Sequence, residues 1–228
     1  MRDVPRRASD TTATRATTRL SKEGIIASAI ELADRDGLAA LSMRRLAQHL
    51  GVDAMSIYYH VRDKDTLLAE MVDAVVAKIG QPSQNHENWQ EKLKNLIMAA
   101  RMTMLTHPWA ARVIEGRDQP TPSVLIHLER VLAIMRDGGC SVDLGHHAIH
   151  LLGSRILGFS QDLFDDDPDT SPPPEVLAAW AQTMPHIVEL ATAVTHDGAL
   201  GGCDDDGEFA FALDLLLEGL ERRRVSGS

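Results

Sequence analysis

The sequence is poor in aromatic residues, in cysteines and in long apolar runs. Aromatic side chains make up 4% of the 228 residues, and this scarcity favours helices over sheets. No apolar run approaches the roughly 18 residues that a membrane-spanning helix needs, and the N-terminus lacks the apolar block of a signal peptide. Cys140 and Cys203 form no Cys-x-x-Cys pattern. We therefore expect a cytoplasmic protein without membrane contact.

The sequence also lacks a catalytic signature. It contains no nucleotide-binding glycine loop, no Gly-x-Ser-x-Gly and no His-Glu-x-x-His. We accordingly expect no enzyme activity, no cofactor and no bound metal. An enzyme built on a helical bundle is the weaker alternative, and only the cluster His146, His147 and His150 favours it.

Charge is distributed unevenly along the chain. The formal net charge of −10 would by itself disfavour binding to nucleic acid. However, residues 1–64 carry 11 Lys and Arg against 8 Asp and Glu, whereas the remainder carries 12 against 25. A mildly basic head on an acidic body confines the attraction for nucleic acid to one end of the chain.

Residues 41–64 have the pattern of two short helices around a tight turn. Ser42 can cap the first helix and Asp53 the second. Gly51 stands between them, where a left-handed residue costs least without a Cβ. The inward faces are predicted to be Leu46, Ala47 and Leu50 in the first helix, then Ile57 and Val61 in the second. So short a connection forces a steep crossing, which is a helix-turn-helix.

The second helix of this pair leaves polar and aromatic side chains exposed, and cations flank it on both sides. Such side chains suit contact with phosphates and base edges. The predicted DNA contacts are Met43, Arg44, Arg45, Ala54, Met55, Ser56, Tyr58, Tyr59, His60 and Lys64. Arg44 is the predicted base contact, and Met55 is expected to touch a thymine methyl group. A hairpin buried inside a larger helical protein is the alternative, but it gives Tyr58, Tyr59 and His60 no common buried face.

This stretch resembles the DNA-binding domain of the tetracycline-repressor (TetR) family. The resemblance is carried by Leu46-Ala47-Gln48, Leu50-Gly51-Val52, Tyr58-Tyr59-His60-Val61, Lys64 and Leu67-Leu68. It implies a dimer that binds a palindromic operator and lets go when a small molecule binds the C-terminal domain. It also implies that a fourth helix joins the two domains.

The expected architecture is all-α, with an N-terminal three-helix helix-turn-helix domain followed by a larger helical ligand-binding and dimerisation domain. We predict a disordered arm over residues 1–20, the helix-turn-helix domain with the connecting fourth helix over 21–80, and the larger domain over 81–228. The arginines of the arm either follow the minor groove or form a solvated tail. Ser21 is expected to cap the first helix, whose predicted apolar stripe is Ile26, Ala29, Ile30 and Ala33.

Residues 81–228 resemble the tetracycline-repressor subgroup more weakly. The likeness is carried by Trp89-Gln90, the Gly138-Gly139 turn, Phe209 and Gly219-Leu220-Glu221. It implies a homodimer through the helices near 142–164 and 208–223, two from each chain. The alternative is that the wide apolar faces of these helices pack within one chain.

The resemblance does not extend to tetracycline recognition. The subgroup's metal-binding histidine would fall near Ile114, and an amide and an aromatic that hold the drug would fall near Leu96 and Ala100. We therefore expect an apolar cavity with few polar points and a largely apolar small-molecule effector. The predicted ligand-binding residues are Leu96, Ile97, Ala100, Met104, Ile114, His127, His146 and His150. An ordinary core would also use such methionines, and the histidine cluster also fits an interface.

Together these patterns predict a DNA-binding transcriptional regulator, namely a dimeric repressor that a small molecule releases from a palindromic operator. A DNA-binding regulator without a small-molecule effector, or an activator, is the alternative. In either case the partner is double-stranded operator DNA.

Overall fold

The computed structural model describes residues 20–80, 88–157, 173–186, 188–189 and 205–227. The predicted arm up to residue 19 and the end of the helix predicted over 142–164 lie outside these ranges. All regular elements within them are helices and no strand occurs there, which confirms the all-α prediction. None of the described helices is both long enough and apolar enough to cross a membrane.

The helices form two groups along the chain. The first group comprises α1 (Lys22–Asp36), a 3₁₀ turn (Leu38–Ala40), α2 (Met43–Leu50), α3 (Ala54–Tyr58) and α4 (Lys64–Val76). The second comprises α5 (Trp89–Thr106), α6 (Pro108–Glu115), α7 (Pro122–Asp137), α8 (Val142–Leu157), α9 (Pro174–Thr183) and α10 (Asp205–Ser226). The chain divides into two compact units after Leu67, inside α4. This division precedes the boundary that we predicted at residue 81.

Short-range hydrogen bonds fix the starts of the first two helices. Ser21 Oγ accepts the N–H of Gly24 at 3.0 Å, and Ser42 Oγ accepts the N–H of Arg45 at 3.2 Å. Both serines are therefore N-caps, as predicted. At α3 the prediction was wrong, because the Asp53 side chain makes no capping bond. The N–H of Ser56 donates instead to the backbone carbonyl of Asp53, at 2.9 Å.

The core of the first unit combines apolar side chains from α1, α2, α3 and the start of α4. Its most buried members are Ile25, Ala29, Leu32, Leu41, Leu46, Ile57, Val61 and Leu67. The predicted faces of α1 and α2 are buried except at one position each. Ile26 in α1 and Leu50 in α2 are half-buried, whereas Ile25 and Met43, which we did not predict, are buried. Met43 lies three residues before Leu46, so it shares the inward face of that helix. Its burial removes it from the predicted DNA contacts.

In the second unit, α5 packs against α6, α7, α8 and α10. It begins with a capping box, in which Asn88 Oδ1 accepts the N–H of Glu91 at 2.9 Å and Glu91 Oε2 accepts the N–H of Asn88 at 3.0 Å. The buried face of α5 consists of Leu93, Leu96, Ile97, Ala100 and Met104. One face of this helix therefore forms the centre of the second unit.

Several residues on which the resemblance to the tetracycline-repressor subgroup depends lie close together in the second unit. The Trp89 side chain is hydrogen-bonded to Glu221, whose carboxylate also accepts two bonds from Arg224 at 2.7 and 2.6 Å. Gly138 lies against Trp89, and a Cβ added there would be 2.4 Å from Trp89 Cγ. Gly139 differs, because its φ of 85° is left-handed. Of these adjacent glycines, one is needed for space and the other for its backbone conformation.

Gly138→Ala should lower the free energy of unfolding by about 1–3 kcal/mol, because the added methyl group overlaps the Trp89 ring. Urea unfolding followed by circular dichroism measures this. The matched control is Gly80→Ala, since Gly80 is exposed and has no atom within 4 Å of an added Cβ. Equal effects of the two substitutions would contradict the steric explanation.

Candidate functional site

The turn between α2 and α3 has the geometry that a helix-turn-helix requires. Gly51 is left-handed, with φ 68° and ψ 30°. Its N–H donates to the Gln48 carbonyl at 3.3 Å, and the N–H of Val52 donates to the Ala47 carbonyl at 3.0 Å. This pair of bonds is a Schellman motif. An added Cβ at Gly51 would meet nothing within 4 Å, so glycine is favoured there by its φ angle alone.

Large side chains project from α3 and from the turn that follows it. Ile57 and Val61 are buried at 0% and 1% exposure and anchor this segment to the core of the first unit. Met55, Tyr58 and Tyr59 are instead 64%, 44% and 86% exposed. We call the surface formed by Ala54, Met55, Ser56, Tyr58, Tyr59 and His60 the α3 surface. Since α3 ends at Tyr58, the last two members follow the helix rather than belong to it.

Four cationic residues flank the α3 surface in the sequence. Two of them form ion pairs with carboxylates in the structure. Arg45 Nη2 donates to Asp36 Oδ2 at 2.8 Å, and Arg62 Nε donates to Asp63 Oδ2 at 2.8 Å. Arg44 and Lys64 are exposed, and no carboxylate in the described part of the chain pairs with either. These two side chains are therefore the better candidates for contact with phosphates or bases.

Asp63 fixes the start of α4, where Lys64 is the first residue. Its Oδ1 accepts the N–H of Thr66 at 2.7 Å, an N-capping bond. The hydrogen bonds from Thr66 and the adjacent Arg62 guanidinium lower the pKa of Asp63 to about 2. We did not predict this cap from the sequence. The signal was available, because an aspartate directly before an apolar helical pattern is a typical N-cap.

The second unit contains a cavity of about 100 Å³. Its walls come from the last turn of α4, from Ile79, and from α5 to α8. Five of the predicted ligand-binding residues line it, namely Ile97, Ala100, Met104, Ile114 and His127. Sequence reasoning missed Val76, Val124 and Val131, because their meeting depends on how α4 packs against α7 rather than on local spacing.

The other three predicted ligand-binding residues lie outside this cavity. Leu96 is buried but does not line it. His146 and His150 are exposed on α8, with their ring centroids 4.7 Å apart. Their helix turns Leu144, Ala148 and Leu152 inward instead. No cluster of three or more His, Cys, Asp or Glu side chains suited to a metal ion occurs in the described ranges.

Two family models match the chain over most of its length. The model for bacterial regulatory proteins of the tetR family matches residues 25–71, and the model for the tetracyclin repressor-like C-terminal domain matches residues 81–224. The chain belongs to the TetR family. It is thus a DNA-binding transcriptional regulator, of a family whose members bind operator DNA, dimerise and bind small-molecule effectors.

Individual relatives of this TetR-family regulator agree with that assignment. An HTH-type transcriptional regulator of Saccharopolyspora erythraea is 36% identical over 120 residues, which cover 53% of this chain and 51% of that protein. The class D tetracycline repressor of Escherichia coli is 29% identical over 208 residues, covering 89% and 90%. The crystal structure of the Streptomyces coelicolor TetR family protein ActR with actinorhodin has a TM-score of 0.67 at 26% identity, covering 90% of this chain and 98% of that one.

Asp63→Asn should alter how the stability of the regulator depends on pH. The folded protein keeps the Asp63 carboxylate ionised down to a pKa of about 2, whereas the ordinary pKa is 3.8. Stability from the ionised form is therefore complete above about pH 4 and is lost as the pH falls towards about 2. Asparagine retains an accepting oxygen but does not titrate.

Thermal unfolding followed by circular dichroism, from about pH 5 to about pH 2, compares the two proteins. The wild type should lose more stability than Asp63→Asn over the acid part of this range. Parallel curves would show that the lowered pKa of Asp63 does not contribute to folding.

Proposed function

We propose that this regulator is a dimeric repressor which a small-molecule effector releases from a palindromic operator. The observation that supports this most directly is that one chain holds both the exposed α3 surface and an apolar cavity. Two of the relatives are a tetracycline repressor and a TetR family protein crystallised with actinorhodin, which gives the proposal further support. Such a protein acts on chromosomal DNA in the cytoplasm, with no membrane contact and no catalytic step.

In the proposed complex the α3 surface of each protomer enters a major groove, and the two half-sites are separated by about one helical turn or a multiple of it. Arg44 contacts a base, most naturally guanine through two hydrogen bonds. Met55 contacts a thymine methyl group. The contacts that bind phosphates and set the register are Ser56, Tyr58, Tyr59, His60 and Lys64. Arg45 and half-buried Ala54 lie at the edge of this interface.

The dimer is proposed to form through α8 and α10. Along α10, Phe209, Leu213, Leu217 and Leu220 are buried within the chain. Phe211 and Leu215 stay 61% and 54% exposed, as does Leu151 of α8 at 50%. Within the described part of the chain, intramolecular packing therefore accounts for one face of α10. The second apolar face is what a partner protomer would cover.

Release is proposed to begin at the cavity. At about 100 Å³ it is smaller than the roughly 300–1,000 Å³ typical of ligand pockets, so an effector must move its walls apart. Val76 belongs to those walls and also to α4, whose first residue is Lys64. Displacement of α4 would thus reach a DNA contact. A full switch from 1:99 to 99:1 needs about 5.5 kcal/mol of differential binding. A regulator without an effector would instead hold its operator in the presence of every compound.

Arg44→Ala and Lys64→Ala should weaken operator binding in different ways, which tests the proposed contacts. Arg44→Ala should cost about 1–3 kcal/mol and relax specificity at one base pair. Lys64→Ala should weaken binding to all sequences alike and reduce the salt slope by about one. Mobility shifts on the intergenic DNA beside its own gene, at several salt concentrations, measure both effects.

The matched control is Lys78→Ala, because Lys78 is an exposed lysine beyond the other end of α4. It should leave both affinity and salt slope unchanged. If Arg44→Ala and Lys64→Ala behave like this control, the contact assignments are wrong. If the wild type itself fails to bind, the proposed function is wrong at this DNA.

Leu151→Glu and Phe211→Glu should each shift the protein from dimer to monomer, because each would place a charge in the proposed interface. Light scattering of the full chain gives the mass in each case. Leu125→Glu is the control, since Leu125 is 52% exposed on α7 and outside both interface helices. A dimer that survives both interface substitutions would place the interface elsewhere.

A further inference from the structure

We infer that the cavity binds an uncharged, mostly apolar molecule through a hydroxyl group hydrogen-bonded to Nδ1 of His127. This inference rests on the proposed function, because it takes the cavity as the effector site. It adds the chemical class of the effector and the side chain that selects it.

A polar atom in the cavity wall lacks a hydrogen-bond partner among the described residues. His127 Nδ1 is buried and makes no hydrogen bond within the described part of the chain. The same side chain lines the cavity, where its neighbours on α5 and α7 are apolar, including Ile97, Leu128 and Val131. Buried polar atoms in native proteins are almost always paired, and an unpaired one calls for an explanation. A bound molecule that completes the hydrogen bond supplies it.

A second atom of the unit shows why the location of His127 matters. Thr121 Oγ1 is also buried without a hydrogen-bond partner among the described residues. However, Thr121 lies at the start of α7 and does not line the cavity. Of these two described residues, the histidine is the one that combines an unpartnered atom with space for a ligand.

The protonation state of His127 limits which ligand groups can form a hydrogen bond with its Nδ1. Burial lowers its pKa, and the positive charge of Arg130 lowers it further. The imidazole is therefore neutral near pH 7, with one nitrogen carrying a proton and the other accepting one. A hydroxyl group can donate to Nδ1 or accept from it, so it satisfies either tautomer. A carbonyl or ether oxygen can only accept.

The described walls of the cavity disfavour a charged ligand. Among the described residues that line it, none is Lys, Arg, Asp or Glu. The nearby Arg130 instead directs Nη1 to the Ile79 carbonyl, at 3.5 Å. A carboxylate or ammonium group would lose its hydration in this cavity without gaining a counter-ion. A neutral hydroxyl on an apolar frame loses much less.

The test uses 1-naphthol and naphthalene, which share a ring system and differ by one hydroxyl group. With the wild-type full chain, 1-naphthol should bind about 5- to 20-fold more tightly than naphthalene, as one hydrogen bond to a buried group provides. His127→Leu should abolish this preference while still binding naphthalene. The matched control is His146→Leu, because that histidine is exposed on α8 outside the cavity, and it should keep the preference. Changes in probe fluorescence give the dissociation constants.

A measurement on the wild type covers the case in which His127→Leu does not fold. With ¹⁵N-labelled histidine, the Nδ1 resonance of His127 should shift on addition of 1-naphthol and stay unchanged with naphthalene. An unmoved resonance overturns the inference. So does an equal preference in wild type and folded His127→Leu, or a failure of both probes to bind.

Mobility shifts without any probe separate this inference from the proposed function. If the wild type binds operator DNA but shows no preference for 1-naphthol, the assignment of His127 is wrong and the proposed regulator survives. If it does not bind operator DNA while the preference for 1-naphthol is present, the inference survives and the repressor function is wrong.

Discussion

The structure depends on α4, because this one helix contributes buried apolar side chains to the cores of both units. Leu67 is buried in the first unit, whereas Met71, Val72 and Val75 are buried in the second, all at 0% exposure. Within each unit, these side chains could leave their positions only by exposing apolar surface. The first residue of α4 is a candidate DNA contact, and its last turn lines the cavity. One helix therefore supplies a candidate DNA contact to the first unit and a wall of the cavity to the second.

Hydrogen bonds reinforce that constraint on either side of the cavity. Asp73 of α4 accepts the N–H of Ser123 at the start of α7, at 2.8 Å. It thus caps a helix whose own N-cap residue, Thr121, makes no side-chain cap. A carboxylate at a helix N-terminus is favoured by the exposed N–H groups there. Because Arg130 bonds to the Ile79 carbonyl as well, α7 is linked to α4 and to the turn beyond it. An effector that separates these walls must strain or break such bonds.

Sequence reasoning succeeded where the decisive contacts are local. Ser21, Ser42 and Gly51 were identified because caps and left-handed turns depend on neighbouring residues. It failed where contacts with residues distant in the sequence decide whether a side chain is buried or exposed. Met43 was assigned to DNA and is buried, and His146 was assigned to the cavity and is exposed on the other face of α8. The spacing of apolar residues in either segment does not predict that Val76 and α7 line the same cavity.

The composition of the cavity bears on how such a regulator discriminates between molecules. Apolar walls distinguish ligands weakly, since one methylene group changes binding by only about 1–3 kcal/mol. A buried polar atom discriminates more strongly, because a ligand without the matching group leaves it unpaired. In a cavity whose other walls include Ile97, Met104 and Val131, the Nδ1 atom of His127 is such a point. A ligand that pairs with this nitrogen would then account both for the selectivity of the cavity and for a buried nitrogen without a partner among the described residues.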